Sequence, residues 1–302
     1  MRRRQFAAVA IAGILAGCSP SGSEVTVATT IAETPITIPK GVLAAMPFQN
    51  RLDVAKDIFQ IKLINGTPDA VDVIAVQFVW DGLTTAIAYR ENSILAGDRI
   101  DFPVPLAPAN CSGDGTQGSM PDLASAVAAV TLRGGQVLEV PVFDVEHFAR
   151  NLYLKDCERQ HIIRAVDIQF ADIHEVTVDG RPVTKGVLRL TRRQSLDTIE
   201  VTFISNTIIF TFVSLGASQD PVATLRSDQS TVEVPVRFIE GRCDAHALSE
   251  SSQPFNFYAV VQLGDGIERT FRTVPAVADQ IPMRRTVESG CKILAKSGIA
   301  GG

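Results

Sequence analysis

The sequence predicts an all-β protein: two tandem immunoglobulin-like β-sandwiches, over 41–161 and 162–302, behind an export signal and a flexible tether. Three observations carry this reading. Apolar residues alternate with period two in many short segments, the pattern of half-buried strands. Turn residues separate those segments at intervals of about ten residues, as in sandwiches. A stretch near position 100 also recurs near position 230.

Composition sets outer limits. The chain has 302 residues, of which 46% are hydrophobic and 20% charged. That balance excludes a disordered or collagen-like chain. A formal net charge of −5 offers no basic footprint for phosphates, so no nucleic-acid partner is expected.

The N-terminus reads as a targeting segment. Arg2, Arg3 and Arg4 precede an apolar stretch from Phe6 to Ala16, too short to span a bilayer but fitting an export signal. Leu15-Ala16-Gly17-Cys18 then resembles the lipobox of bacterial lipoproteins. That resemblance implies a signal peptide over 1–17 and a new N-terminus at Cys18. Cys18 would carry a diacylglyceryl thioether and acyl chains such as palmitate, on the extracytoplasmic face of the cell membrane. Removing three Arg from 28 basic residues leaves 25 against 33 acidic ones, a mature charge near −8. Acidic charge disfavours a second anchor on anionic lipid, so the acyl chains are expected to hold the protein alone. Residues 18–40 are the lipidated Cys18 followed by Ser19-Pro20-Ser21-Gly22-Ser23 and further sequence that reads as a flexible linker.

The repeat organises the rest. Residues 98–111 and 230–243 align at an offset of 132 without a gap. Ile100, Phe102, Val104 and Leu106 match Val232, Val234, Val236 and Phe238, while Pro103 matches Pro235 and Cys111 matches Cys243. Proline within such a strand points to an edge position or a bulge. A hairpin follows in each copy: Ala126 to Leu132 turns at Gly134-Gly135 into Val137 to Phe143. Phe257 to Leu263 turns at Asp265-Gly266 into Ile267 to Val274. A second cysteine closes each copy, at Cys157 and Cys291, after spans of 46 and 48 positions.

Four cysteines allow three pairings. The repeat selects Cys111 with Cys157 and Cys243 with Cys291, and an exported chain sits where disulfides persist. A metal held by these cysteines is not expected, since none lies within a few residues of another.

Further strands are expected before each copy: Ile58 to Ile64, Val71 to Trp80 and Thr84 to Tyr89, then Thr198 to Ile204, Thr207 to Leu215 and Val222 to Leu225. Between the copies, Ile162 to Val178 and Val183 to Leu190 join at Asp179-Gly180. Helix is expected only as a turn or two within Asp144 to Leu152 and Ala276 to Val287. The last residues, from Gly298, read as a frayed tail.

Chemistry is sparse. The chain holds no Gly-x-Ser-x-Gly elbow, no His-Glu-x-x-His and no phosphate-cradling glycine loop. Two small constellations stand out as ligand-binding candidates. Asp172 and His174 alternate on one strand face, where they could share a ligand; the alternative is a solvated face. Asp244 and His246 follow Cys243 and could bind a ligand in that loop; the alternative is a capped turn beside a disulfide. The first copy has Ser112, Gly113 and Asp114 after its cysteine and no histidine there. No cofactor, no metal and no catalytic residue is expected.

Val234-Pro235-Val236-Arg237-Phe238 through Arg242-Cys243-Asp244-Ala245-His246-Ala247 resembles a motif of uncharacterised lipoproteins of high-GC Gram-positive bacteria. Those proteins have a lipobox and paired disulfide-closed β domains, and the resemblance implies no activity. The expected role is non-enzymatic binding or scaffolding at the cell envelope. The expected partners are the membrane, through the lipid, and an envelope protein or cell-wall ligand. The alternatives are a solute-binding lipoprotein of a transporter, disfavoured by the weak helical periodicity, or an envelope hydrolase with its site in the second domain.

Overall fold

A computed structural model describes residues 39–54, 56–111, 120–216, 220–251 and 253–296. The signal segment, Cys18, the tether up to residue 38 and the tail from Gly298 lie outside the described residues.

In the first half, strand alternation becomes two facing sheets. The elements are β1 (Leu43–Phe48), α1 (Arg51–Val54), β2 (Ile58–Asn65), β3 (Val71–Trp80), β4 (Leu83–Thr84), β5 (Ala88–Ile94), β6 (Arg99–Pro105), β7 (Val127–Leu132) and β8 (Val137–Pro141). One sheet has the order β1-β2-β6; the other runs β4-β3-β7-β8, with β5 also on β3. On β2, every second residue (Phe59, Ile61, Leu63) turns into the core. Trp80, at the end of β3, packs edge-on against Tyr153 with ring centres 5.3 Å apart.

The second half repeats the plan. It comprises α2 (Phe148–Ala165), β9 (Val166–Val178), β10 (Arg181–Arg192), β11 (Ile199–Ile204), β12 (Phe210–Ser214), β13 (Ala223–Leu225), β14 (Thr231–Glu240), α3 (Ala245–Glu250), β15 (Phe257–Gln262), β16 (Arg269–Thr273) and α4 (Val277–Lys296). Its sheets run β12-β14-β10-β9 and β13-β11-β15-β16. In both halves the second strand pairs with the strand that carries the repeat, β2 with β6 and β10 with β14. The third pairs with the first strand of the late hairpin, β3 with β7 and β11 with β15. This crossed pairing is the immunoglobulin-type Greek key. Phe238 lies 5.1 Å from Phe170 and 5.3 Å from Phe257, tying the two sheets of the second half together.

The two prolines of the repeat sit where a missing N–H costs nothing. Strand β6 is a sheet edge, and the Asp101 carbonyl, two residues before Pro103, turns away from β2 to accept from Arg90. Pro103 therefore faces the same open side, where it also blunts the edge. Strand β14 is interior, but Pro235 lies just past the end of the β12 ladder, at Ser214–Val236. The Asp179-Gly180 hairpin has positive φ at both residues, +52° and +76°, as a type I′ turn requires.

Helix is more extensive than expected. α2 has 18 residues and α4 has 20. The expected strand from Ile162 begins only at Val166, and α2 runs across the 161/162 boundary. The expected strand from Thr84 to Tyr89 is divided between β4 and β5. β1 is an additional strand. The helices are faint in sequence because each buries a narrow stripe. On α2 the stripe is Ala149, Tyr153 and Cys157; on α4 it is Met283, Val287 and Cys291. Each is an i, i+4, i+8 row with polar residues around it. Pro282, inside α4, looks like a helix break in the sequence.

Both disulfides form as the repeat implies. Cys111–Cys157 and Cys243–Cys291 have Cα separations of 5.5 and 5.3 Å. Each ties the loop after a repeat strand to the buried stripe of the closing helix. α2 then continues into the second half, where Ile162 and Ala165 join the other core. One helix thus belongs to both cores.

A second local clamp shapes the β15–β16 hairpin. The Arg269 side chain is 6% exposed and donates to both Asp265 carboxylate oxygens, at 3.0 and 2.7 Å. These bonds, and the N–H of Ile267, hold the Asp265 carboxyl down to about 2 from 3.8, against the opposing effect of burial.

Two predictions follow from these clamps. Replacing Cys111 and Cys157 by Ala is expected to remove about 4 kcal/mol of stability in urea unfolding. Because α2 serves both cores, amide-exchange protection should fall in β10 as well as around Trp80. Unchanged β10 protection would show that the cores are independent. For Asp265, the folded pKa is depressed, so its stabilisation is present above about 4 and is lost as pH falls towards about 2. Asp265→Asn should flatten the acid limb of the stability profile in that window.

Candidate functional site

Asp172 and His174 lie on β9 at a bulge. The register with β10 shifts between Lys185 and Val187, and Asp172 adopts φ +55°. Gly186 opposes the bulge because a Cβ there would strike Ile173 and the Ala171 carbonyl. Both side chains remain exposed, and each has its own partner. Asp172 accepts from Arg189 at 2.9 Å, and Arg189 donates onward to Glu233 at 2.6 Å. The Glu233 bond, helped by the charges of Glu233 and Asp172, raises the Arg189 guanidinium above its ordinary value. His174 instead places Nδ1 2.7 Å from the Asp172 backbone carbonyl. The result is an ion-pair ladder across β9, β10 and β14 on a solvated face.

Asp244 is the N-cap of α3. Its Oδ1 accepts the Ala247 N–H at 2.9 Å, and Oδ2 accepts from Arg242 at 3.0 Å. The Ala247 N–H and the Arg242 guanidinium hold this carboxyl below its ordinary value. His246 stands exposed on the first turn of the same short helix. Among the described residues, no group of three or more His, Cys, Asp or Glu comes together in a metal-holding arrangement. The structure therefore places the two candidate pairs in separate local networks.

Two clefts were not read from the sequence. One, of about 610 Å³, lies on the first half between α1, β2, β5 and β6. Its lining mixes Lys56, Arg90 and Arg99 with Asp53 and Asp101. Asp53 is buried and already accepts from Asn50 and Gln60, which makes it a structural carboxylate of the α1 turn.

The other cleft, of about 390 Å³, lies at the junction of the halves. Arg51 enters it from α1; Asn206, Thr207, Ile208, Gln253, Asn256 and Tyr258 enter from the second half. Nearby, Arg272 on β16 lies 3.8 Å from Asp57, an ion pair across the same junction. The floor is fixed by backbone bonds. Gly241 and Arg242, at the exit of β14, donate to the carbonyls of Ile209 and Ile208. A Cβ at Gly241 would come within 2.9 Å of the Ile208 carbonyl, so only glycine allows this approach. The next residue but one is Cys243, so the disulfide to α4 braces the cleft from behind. No sequence motif marks this cleft, because its residues come from a short helix, a strand and loops far apart in the chain.

No family model matches the chain, and no curated protein matches it. Among solved structures, similarity extends to a protein of unknown function from Porphyromonas gingivalis W83, at 11% identity and TM-score 0.18. It covers 81% of this chain and all of that one. The YadV chaperone is similar at 9% identity and TM-score 0.17, over 76% of this chain and 98% of that one. A CsuC–CsuE chaperone–tip adhesion subunit complex of Acinetobacter baumannii matches at 13% identity and TM-score 0.14, over 59% and 81%. Likenesses this distant carry no argument about this chain.

The local networks make a prediction that separates structure from ligand binding. Asp244→Ala should cost about 1 kcal/mol in denaturant unfolding, as the loss of an N-cap does. His174→Ala should stay within about 0.5 kcal/mol of the parent, as exposed substitutions do.

Proposed function

We propose that the protein is a lipid-anchored extracytoplasmic binding module, held at the cell membrane through Cys18 and acting without catalysis. The observation that carries this reading is the rigid junction cleft. Two disulfide-stapled sandwiches share one helix, and between them lies a cleft of mixed polar and apolar surface with walls from both. Pockets of this size between structural units are the usual place for small ligands.

Other features support the setting. Two disulfides fit an oxidising compartment outside the cytoplasm. Among the described residues, no helix is long and apolar enough to cross a membrane, so attachment would rest on the lipid. The in-register charge, apolar run and Leu15-Ala16-Gly17-Cys18 sequence supply that lipid site. The Asp and His pairs of the second half serve an ion-pair ladder and a helix cap, so the reading gives them no chemical step.

The test is fractionation of cells expressing the full-length protein. Cys18→Ala should move the protein from the membrane fraction to the soluble or secreted fraction, with both disulfides intact. Retention in the membrane at the parental level would refute the lipid anchor.

A further inference from the structure

From the lining of the junction cleft, we propose that it binds a glycan carrying a carboxylate. This rests on the binding-module reading and names the ligand class.

The first argument is hydrogen-bond chemistry. Several polar atoms in the cleft are already fixed: Asn206 Oδ1 accepts the Phe212 N–H at 2.9 Å, Thr207 Oγ1 accepts the Phe210 N–H at 3.1 Å, and Asn256 Nδ2 donates to Gln253 Oε1 at 2.9 Å. These bonds set the orientation of each side chain. They leave Asn206 Nδ2, Gln253 Nε2, Asn256 Oδ1 and the Tyr258 hydroxyl unused among the described residues. The remaining set holds both donors and acceptors, and most of it is uncharged. A sugar presents hydroxyl groups that both donate and accept, so it matches such a lining. A purely apolar ligand would leave these groups unpaired, which is costly.

The second argument is the aromatic wall. Tyr258 is 40% exposed, and its backbone N–H is pinned by Ser205 Oγ at 2.9 Å. An exposed, positioned ring offers an apolar face and a polar tip together, the two surfaces a sugar ring needs. Ile208 adds a small apolar patch beside it.

The third argument is charge. Arg51 is the single charged residue of the lining, and among the described residues its guanidinium has no ion pair or hydrogen bond. Among the described residues no carboxylate lines the cleft. A guanidinium fork matches a carboxylate with two parallel bonds. One cation is too little for a polyphosphate or nucleic acid, which needs a basic stripe. The lining is therefore suited to many hydroxyls and one anionic group.

Preorganisation makes the site credible as a binder. The Asn206–Ile208 turn is held by the β14 exit, next to the Cys243–Cys291 bridge. Arg51 comes from the other half, so a bound glycan would contact both sandwiches at once. The second-half wall is held before binding, and the ordering cost falls mainly on the Arg51 side chain.

The experiment is calorimetric titration of the full-length protein in detergent micelles with a matched pair of probes. One is oligogalacturonate; the other is the same oligomer with its carboxylates methyl-esterified. The acidic form should bind at least about tenfold more tightly, the scale of a charge-assisted pair. Arg51→Gln should remove that preference and leave the ester's affinity unchanged. Tyr258→Ala should weaken both forms by about fivefold or more. Both residues are surface groups, and circular dichroism would verify folding of each variant. Absence of binding by either oligomer, an unchanged preference in Arg51→Gln, or equally tight binding of oligoglutamate would overturn the proposal. Failure here with Cys18-dependent membrane attachment intact would refute the ligand and leave the anchor standing. Loss of attachment dependence with glycan binding intact would do the reverse.

Discussion

The structure depends on α2 being clamped at Cys157. Through that cysteine, the helix is fixed to the loop that follows β6, and its Ala149–Tyr153–Cys157 stripe completes the first core. A helix is stiff, so fixing its first half also fixes its second. Ile162 and Ala165, one to two turns further on, then enter the second core, and β9 starts at the next residue. A linker of ordinary loop would let the sandwiches turn against each other. A shared helix removes that freedom, and a cleft with one wall from each half becomes possible.

The two copies solve the same packing problem with opposite charge placement. In the first, Asp156 on the helix reaches across to the Ala109 N–H at 2.8 Å, supported by Gln160. In the second, the matching helix position is Gly290, and the carboxylate comes from the strand instead. Glu240 is buried against Gly290, where a Cβ would lie 2.9 Å from its Oε2, and pairs with Arg181. Thr184 and Thr286 add a buried hydroxyl pair between β10 and α4 at 2.7 Å. The disulfide is retained in both copies while its polar surroundings differ.

The candidate ligand residues show what spacing alone leaves out. Asp172 and His174 do alternate in sequence, but the bulge at Asp172 breaks the regular pleat, and the nearest cation takes the carboxylate. Asp244 sits where a helix begins, and its carboxylate satisfies a backbone N–H that would otherwise lack a partner. The capped turn at Asp244 uses a neighbour two residues away, Arg242, whereas the ladder at Asp172 depends on Arg189 and Glu233 coming from other strands.

The sequence by itself determined most of the strands, the hairpins and the disulfide pairing. Those are local or repeated features: period-two alternation in β2 and β14, positive-φ turns at Asp179-Gly180, and cysteines at matched places in two copies. It determined much less about α2 and α4, because only a few residues of each helix are buried and their row is interrupted by charged and polar residues, and Pro282 reads as a break. The junction cleft was decided only by tertiary structure. Arg51, Asn206 and Tyr258 share no period, motif or repeat, and they meet because a disulfide-clamped helix holds two sandwiches in one arrangement. Local pattern encodes which face of an element is apolar; where that face ends up depends on the partner it packs against.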